Sequence, residues 1–193
     1  MSSSHIDILA AVYQFILRYA KDESRGIPAL NESQIVRAWE NYAVLPDTTE
    51  YVVITLAGSV QHGRSQVEEI YNEDTDFLEY EITGTLEHTV QVDFTAQGPQ
   101  RDPGLTQHRA QVIQVLCASE IGPSFFKKYD SSLNLMYCND VGGGATFDES
   151  QNWAARYVLD LHISQLLTSN VPFDYFTSAR IRAEDVDVHH KVK

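Results

Sequence analysis

Few residues in this chain stand at spacings that chemistry requires. Gly142, Gly143 and Gly144 suggest a phosphate-cradling loop, since glycine lets backbone N–H groups close on an anion. Ala145-Thr146-Phe147 follows where such a loop needs Lys and then Ser or Thr, so the glycines read as a flexible turn between strands. Asp160 and His162 would share one face of a strand, and His189-His190 could join them as metal ligands. No HExxH or comparable helical pair accompanies them, so no metal and no cofactor is expected. A serine nucleophile needs Gly-x-Ser-x-Gly, and neither Gly58-Ser59 nor Gly122-Pro123-Ser124 has the second glycine at the right spacing. The pairs Glu79/Glu81 and Asp185/Asp187 read as solvated faces of an acidic chain. These readings leave an enzyme without a foothold.

Composition narrows the classes further. The chain has 193 residues, 43% hydrophobic and 21% charged, which suits one folded domain over 1–193 with a substantial core. Its formal net charge of −13 argues against a protein that works by neutralising phosphates. The one basic pair beside aromatics is Lys127-Lys128, too little for a base-stacking groove. Cys117 and Cys138 are too few for a disulfide framework and read as buried thiols of a reducing compartment. Met-Ser-Ser-Ser-His does not resemble a secretion signal, and no apolar run approaches membrane-spanning length, so synthesis in the cytoplasm and no membrane partner are expected.

The elements are organised around Asp76 to Gly98. Leu78, Tyr80, Ile82, Leu86, Val90, Val92, Phe94 and Ala96 alternate with Glu79, Glu81, Thr83, Glu87, Gln91, Asp93 and Thr95. That period of two predicts extended chain with one wet face, bent or folded into a hairpin at Gly84 or at Glu87-His88, where His88 breaks the apolar phase. A second alternating run covers Trp153 to Ile163, and shorter strands are expected at Tyr51–Leu56, Leu133–Cys138 and, as a charged edge, Arg180–Val188. Helices are expected from about Ser4 to Lys21, with Ser4 and Asp7 as a capping box, and from Asp102-Pro103 to about Ser119, ended by Gly122-Pro123. The cluster Phe125 to Tyr129 reads as a helical turn lidding the core, and Gln34–Asn41 fits either a short helix or an extended segment. Loops are expected at Gly58–Gly63, Glu68–Asp76, Asn139–Ser150 and Asn170–Asp174. The whole predicts an α+β fold, a mainly antiparallel sheet with helices packed on one face.

Four stretches then resemble one family. Ile35-Val36-Arg37-Ala38-Trp39-Glu40-Asn41, a proline link and Tyr51-Val52-Val53-Ile54-Thr55 look like the front of bacteriophage neck and tail terminator proteins. Glu87 to Phe94 followed by Gly98, the helix from Pro103 to Ser119, and Trp153-Ala154-Ala155-Arg156-Tyr157-Val158-Leu159-Asp160-Leu161 are similar to the strand, helix and late Trp-x-x-Arg-x-x-Leu-Asp strand of that family. The acidic stretch Glu68–Asp76 and the Gly-rich loop depart from it.

The resemblance implies a structural virion protein of the tail and neck rather than an enzyme. Such a protein assembles as a ring, usually a homo-hexamer, caps the tail tube, stops its polymerisation and meets the neck or connector protein. DNA would pass its lumen without specific binding, which acidic walls would favour. Arg37, Trp39, Arg64, Gly143 and Arg156 are the expected interface residues; for Arg37 and Arg156, bracing within one sheet is the competing expectation. Another neck, head-completion or baseplate ring protein is the alternative reading. A metal-dependent hydrolase using Asp160, His162 and the C-terminal histidines is the second alternative.

Overall fold

A computed structural model describes residues 7–38, 50–72, 77–98, 102–147 and 153–172. The fold is α+β with a largely antiparallel sheet. In chain order the elements are helix α1 (Ile8–Tyr19), strands β1 (Ile35–Arg37), β2 (Glu50–Asn72) and β3 (Phe77–Ala96), helices α2 (Pro103–Cys117) and α3 (Ile121–Tyr129), and strands β4 (Leu133–Cys138), β5 (Gly142–Phe147) and β6 (Trp153–Pro172). The sheet runs β1-β2-β3-β6-β4, with β5 also paired to β6. β1 lies parallel to β2, while β4 and β5 are antiparallel to β6.

These residues form two compact units. One comprises Met1–Val60 and Glu87–Gln165, the other Gln61–Leu86 and Leu166–Lys193. In the first unit the helices and the sheet share one core. Val12, Phe15 and Ile16 of α1, Ile113 of α2 and Phe126 of α3 pack with Val52, Ile54, Val90, Val92, Phe94, Leu159, Leu161 and Ile163. Tilted ring contacts of Phe15 with Phe125 and Phe126, at 5.2 and 5.3 Å, tie α1 to α3. In the second unit all the described residues are strand.

The local signals explain most helix ends. Asp7, not Ser4, caps α1 by accepting from Ala10 N at 3.0 Å; Ser4 lies outside the described residues. Asp102 and Pro103 open α2 as expected, with the carboxylate accepting from Leu105 N at 3.1 Å. Gly122-Pro123 does not end a helix but sits in the first turn of α3, where proline's missing N–H costs no helical bond. A Cβ at Gly122 would lie 2.7 Å from Leu135 Cδ2 and 3.0 Å from Cys117 Cα, so α3 approaches β4 this closely only through glycine. Gln34 closes a short 3-10 turn before β1, and Trp39 to Asn41 lie outside the described residues.

The strands are longer than the sequence pattern suggests. β3 is one continuous strand with no turn at Gly84 or at Glu87-His88. His88 needs no turn because its neighbours on the sheet are polar too, as shown below. Gly58–Gly63, expected as a loop, lies inside β2, and so does Glu68–Asn72 from the expected acidic connection. Gly63 takes φ 72°, a left-handed value that glycine adopts without Cβ strain. Gly142–Phe147 of the expected loop is strand β5, and Asn170 to Pro172 of the expected turn belong to β6. The rest of that turn and the edge strand expected at Arg180–Val188 lie outside the described residues.

β4 contains a further departure. Its register shifts between Leu135, opposite Ile163, and Tyr137, opposite His162. Met136 is therefore an extra residue, and the phase flips after it. Leu133 and Leu135 are buried, Tyr137 turns outward, and Cys138 turns toward the core.

Candidate interface surfaces and the polar rungs of the sheet

The polar side chains of the first unit form rungs across neighbouring strands. On the face away from the core, Arg156 of β6 grips Asp93 of β3 with two parallel bonds, Nε to Oδ1 at 3.1 Å and Nη2 to Oδ2 at 2.8 Å. Asp93 is buried while Arg156 is 44% exposed in its side chain, so the carboxylate holds the guanidinium still at the surface. That bond raises the Arg156 pKa further above its ordinary value. A second rung joins His162 Nδ1 to Glu87 Oε1 at 2.7 Å, and the Tyr137 ring stacks on the imidazole at 4.2 Å.

The third rung lies at the end of the first unit. Ser59 Oγ is 2.7 Å from His88 Nδ1, and His88 Nε2 is 3.0 Å from Gln165 Oε1. Burial lowers the His88 pKa, partly countered by the bond to Gln165, so the ring is neutral near pH 7. Gln165 Oε1 only accepts, hence Nε2 carries the proton and Nδ1 accepts from the Ser59 hydroxyl. The rung spans β2, β3 and β6 and spends the hydrogen-bonding capacity of a histidine on a core-side face.

A buried cluster braces α2. Arg109 is 2% exposed; its Nε donates to Glu50 Oε1 at 2.9 Å, and its Nη1 donates to the carbonyls of Ala20 and Pro28. Thr106 donates to the same carboxylate oxygen at 3.2 Å. On the same helix, next to Arg109, His108 Nε2 meets Asp22 Oδ2 at 2.9 Å. Hydrogen bonds from Ser24 and then from His108 lower the Asp22 pKa to about 2. The two thiols also meet: Cys138 donates to the Gln114 carbonyl at 3.7 Å, and a hydrogen bond from Cys117 to Cys138, together with burial, pushes the Cys117 thiol up.

The expected site residues fall in different places. Arg37 ends β1 and reaches back to Asp7 of the α1 cap at 3.1 Å, over the Tyr13 ring. Arg156 makes the bidentate brace described above, so both arginines are engaged within the chain. Arg64 is exposed on β2 in the second unit, and Trp39 lies outside the described residues. Gly143 faces Tyr157 across β5 and β6, where an added Cβ would come within 2.5 Å of the ring. Asp160 accepts from Asn139, and His162 is held by Glu87, while His189 and His190 lie outside the described residues. Among the described residues no cluster of three His, Cys, Asp or Glu could hold a metal ion, and no helix is long and apolar enough to cross a membrane. The His88 and Arg109 networks were not expected, although each had a signal: a histidine and an arginine standing at apolar positions of a strand and a helix.

Among the described residues, two uncovered surfaces stand out. One is the outer edge of β5, where Gly142, Gly143, Gly144, Arg156 and Val158 line a shallow cavity of about 210 Å³. The other is the three-strand ribbon of the second unit, which exposes Val67, Tyr71, Leu166 and Leu167 by 43 to 58%. A search of curated proteins returned no match. A family model described as phage neck terminator protein matches residues 7–189, nearly the whole chain. The chain thus belongs to the phage neck terminator protein family, a family of structural proteins of the virion neck and tail.

Proposed function

We propose that the protein works as a ring of about six copies that seats on the completed tail tube, stops its growth and offers its other side to the neck and filled head. The family match over residues 7–189 carries this reading. It acts by shape. A helix-backed core holds the first unit of each copy together, and open edges and loops supply the contacts between copies, with tube and with neck. The formal net charge of −13 suits a lumen that DNA must cross without sticking, because carboxylate walls repel phosphates.

The test is light scattering coupled to size exclusion over a concentration series, followed by negative-stain imaging. A ring with a central hole, alone or on added tube protein, is the expected result. A chain that stays monomeric and ignores assembled tubes would sink the reading.

A further inference from the structure

The outer edge of the sheet beside β6 is made by β4 and then β5, and β5 begins with three consecutive glycines. Only the middle one is required by the fold of a single copy, because Tyr157 packs against Gly143. Gly144 has nothing within 4 Å of an added Cβ, Gly142 has only the Val158 carbonyl at 4.0 Å, and neither takes a positive φ. Glycine in a strand weakens it unless another backbone or ligand must come close. Gly142 and Gly144 stand opposite Val158 and Arg156, so the bare strip and the guanidinium share one face. Asp93 takes Nε and Nη2 of Arg156, and its Nη1 has no partner among the described residues.

A surface of opposite character lies on the same chain. β1 pairs with β2 only over Val52 to Ile54, so beyond Ile54 the outer edge of β2 carries no strand among the described residues. That stretch displays Val67 and Tyr71, and Glu68 and Glu69 beside them are exposed. Among the described residues it therefore offers an open strand edge, apolar side chains and carboxylates, where β5 offers an open edge, empty space and a guanidinium held in place by Asp93.

We propose that the glycine strip of β5 with Arg156 receives the β2 ribbon edge, near Val67 to Glu69, of a second copy of this chain. Donor and acceptor complementarity selects the partner: Asp93 balances the Arg156 charge and takes two of its donors, and the Nη1 donor beside a clear strip fits a carboxylate-bearing strand of another copy of a chain with 27 acidic and 14 basic residues. The two surfaces differ, so the contact is head-to-tail, the kind that generates rings when the rotation closes. The inference rests on the ring reading and names the surfaces that build it.

Gly144→Val tests it without harming the monomer, since the added side chain enters open space and valine suits a strand. Its melting midpoint should equal or exceed that of the unaltered chain, while the concentration needed for assembly rises about tenfold or more. As a second measurement, Gly144→Cys and Val67→Cys chains are mixed and oxidised, with the unaltered chain as the blank. Cross-links between the two variants, and none within either alone, are expected. Rings that form at the usual concentration from Gly144→Val chains, and no mixed cross-link, overturn this contact while leaving the ring reading intact. Normal rings that no longer bind tube would overturn it too, by making the tube the occupant. An unaltered chain that never assembles, even on tubes, overturns both.

Discussion

Strands β2, β3 and β6 each run through two environments, and the contrast shows what makes a strand a core element. In the first unit Val52, Ile54, Val90, Val92, Phe94, Leu159, Leu161 and Ile163 have no exposed surface, because side chains of three helices meet them. In the second unit Val67, Tyr71, Leu166 and Leu167 are about half exposed, and the described residues include no helix. Backbone pairing is shared by both. Among the described residues only cover differs, and an uncovered apolar strand is where the proposed contact between copies is placed.

The contrast can be broken most severely at the buried charge. Arg109→Ala would strand the Glu50 carboxylate and two carbonyls without their donor, and is expected to cost about 3–5 kcal/mol in urea denaturation. Phe126→Ala, at the centre of the helix-backed core, should cost about 3–4 kcal/mol by the same measurement. An effect below about 1 kcal/mol for either would mean that the core does not hold the helices as described.

The Ser59–His88–Gln165 rung should respond at an intermediate level. His88→Ala leaves Gln165 unpaired and is expected to cost about 1–3 kcal/mol. The pH dependence has a definite sign. Folding lowers the His88 pKa below 6.5, so the unfolded chain binds the proton more readily, and the histidine's contribution fades as pH falls below about 6.5 toward the folded value. His88→Gln should flatten that part of the stability profile. An unchanged slope would mean that His88 is not the group responsible.

The ribbon marks the smallest end. Val67→Ala should change the stability of a dilute, unassembled chain by no more than about 0.5 kcal/mol, against several for Phe126→Ala. A cost near 2 kcal/mol would show that Val67 is covered within its own chain. Ser24→Ala should raise the Asp22 pKa from about 2 toward the ordinary carboxylate range, readable by NMR titration, and an unmoved pKa would mean that Ser24 is not the main cause of the lowering.

Much of the fold was legible because it rests on local patterns. The alternation through Val90, Val92, Phe94 and through Leu159, Leu161, Ile163 marks both central strands, and Asp102-Pro103 marks the start of α2. What stayed hidden depends on partners distant in sequence. Glycines at 58, 63 and 142–144 read as loop because propensity is local, whereas pairing with neighbouring strands decides strand length. His88 read as a turn because its partners are 29 and 77 residues away. The flip after Met136 is invisible to any alternation rule, since a bulge changes phase without changing composition. Arg37 and Arg156 stood out as lone cations in acidic surroundings, yet Asp7 and Asp93, which meet them, lie 30 and 63 residues away in sequence.

In the proposed function the chain ends a tube by capping it as a ring. The most direct measurement is to polymerise tube protein with and without the purified chain and to image tube lengths and tips. Tubes that stop growing and carry a ring at one end are predicted. Tubes that reach the same length with bare tips in both samples would contradict the account.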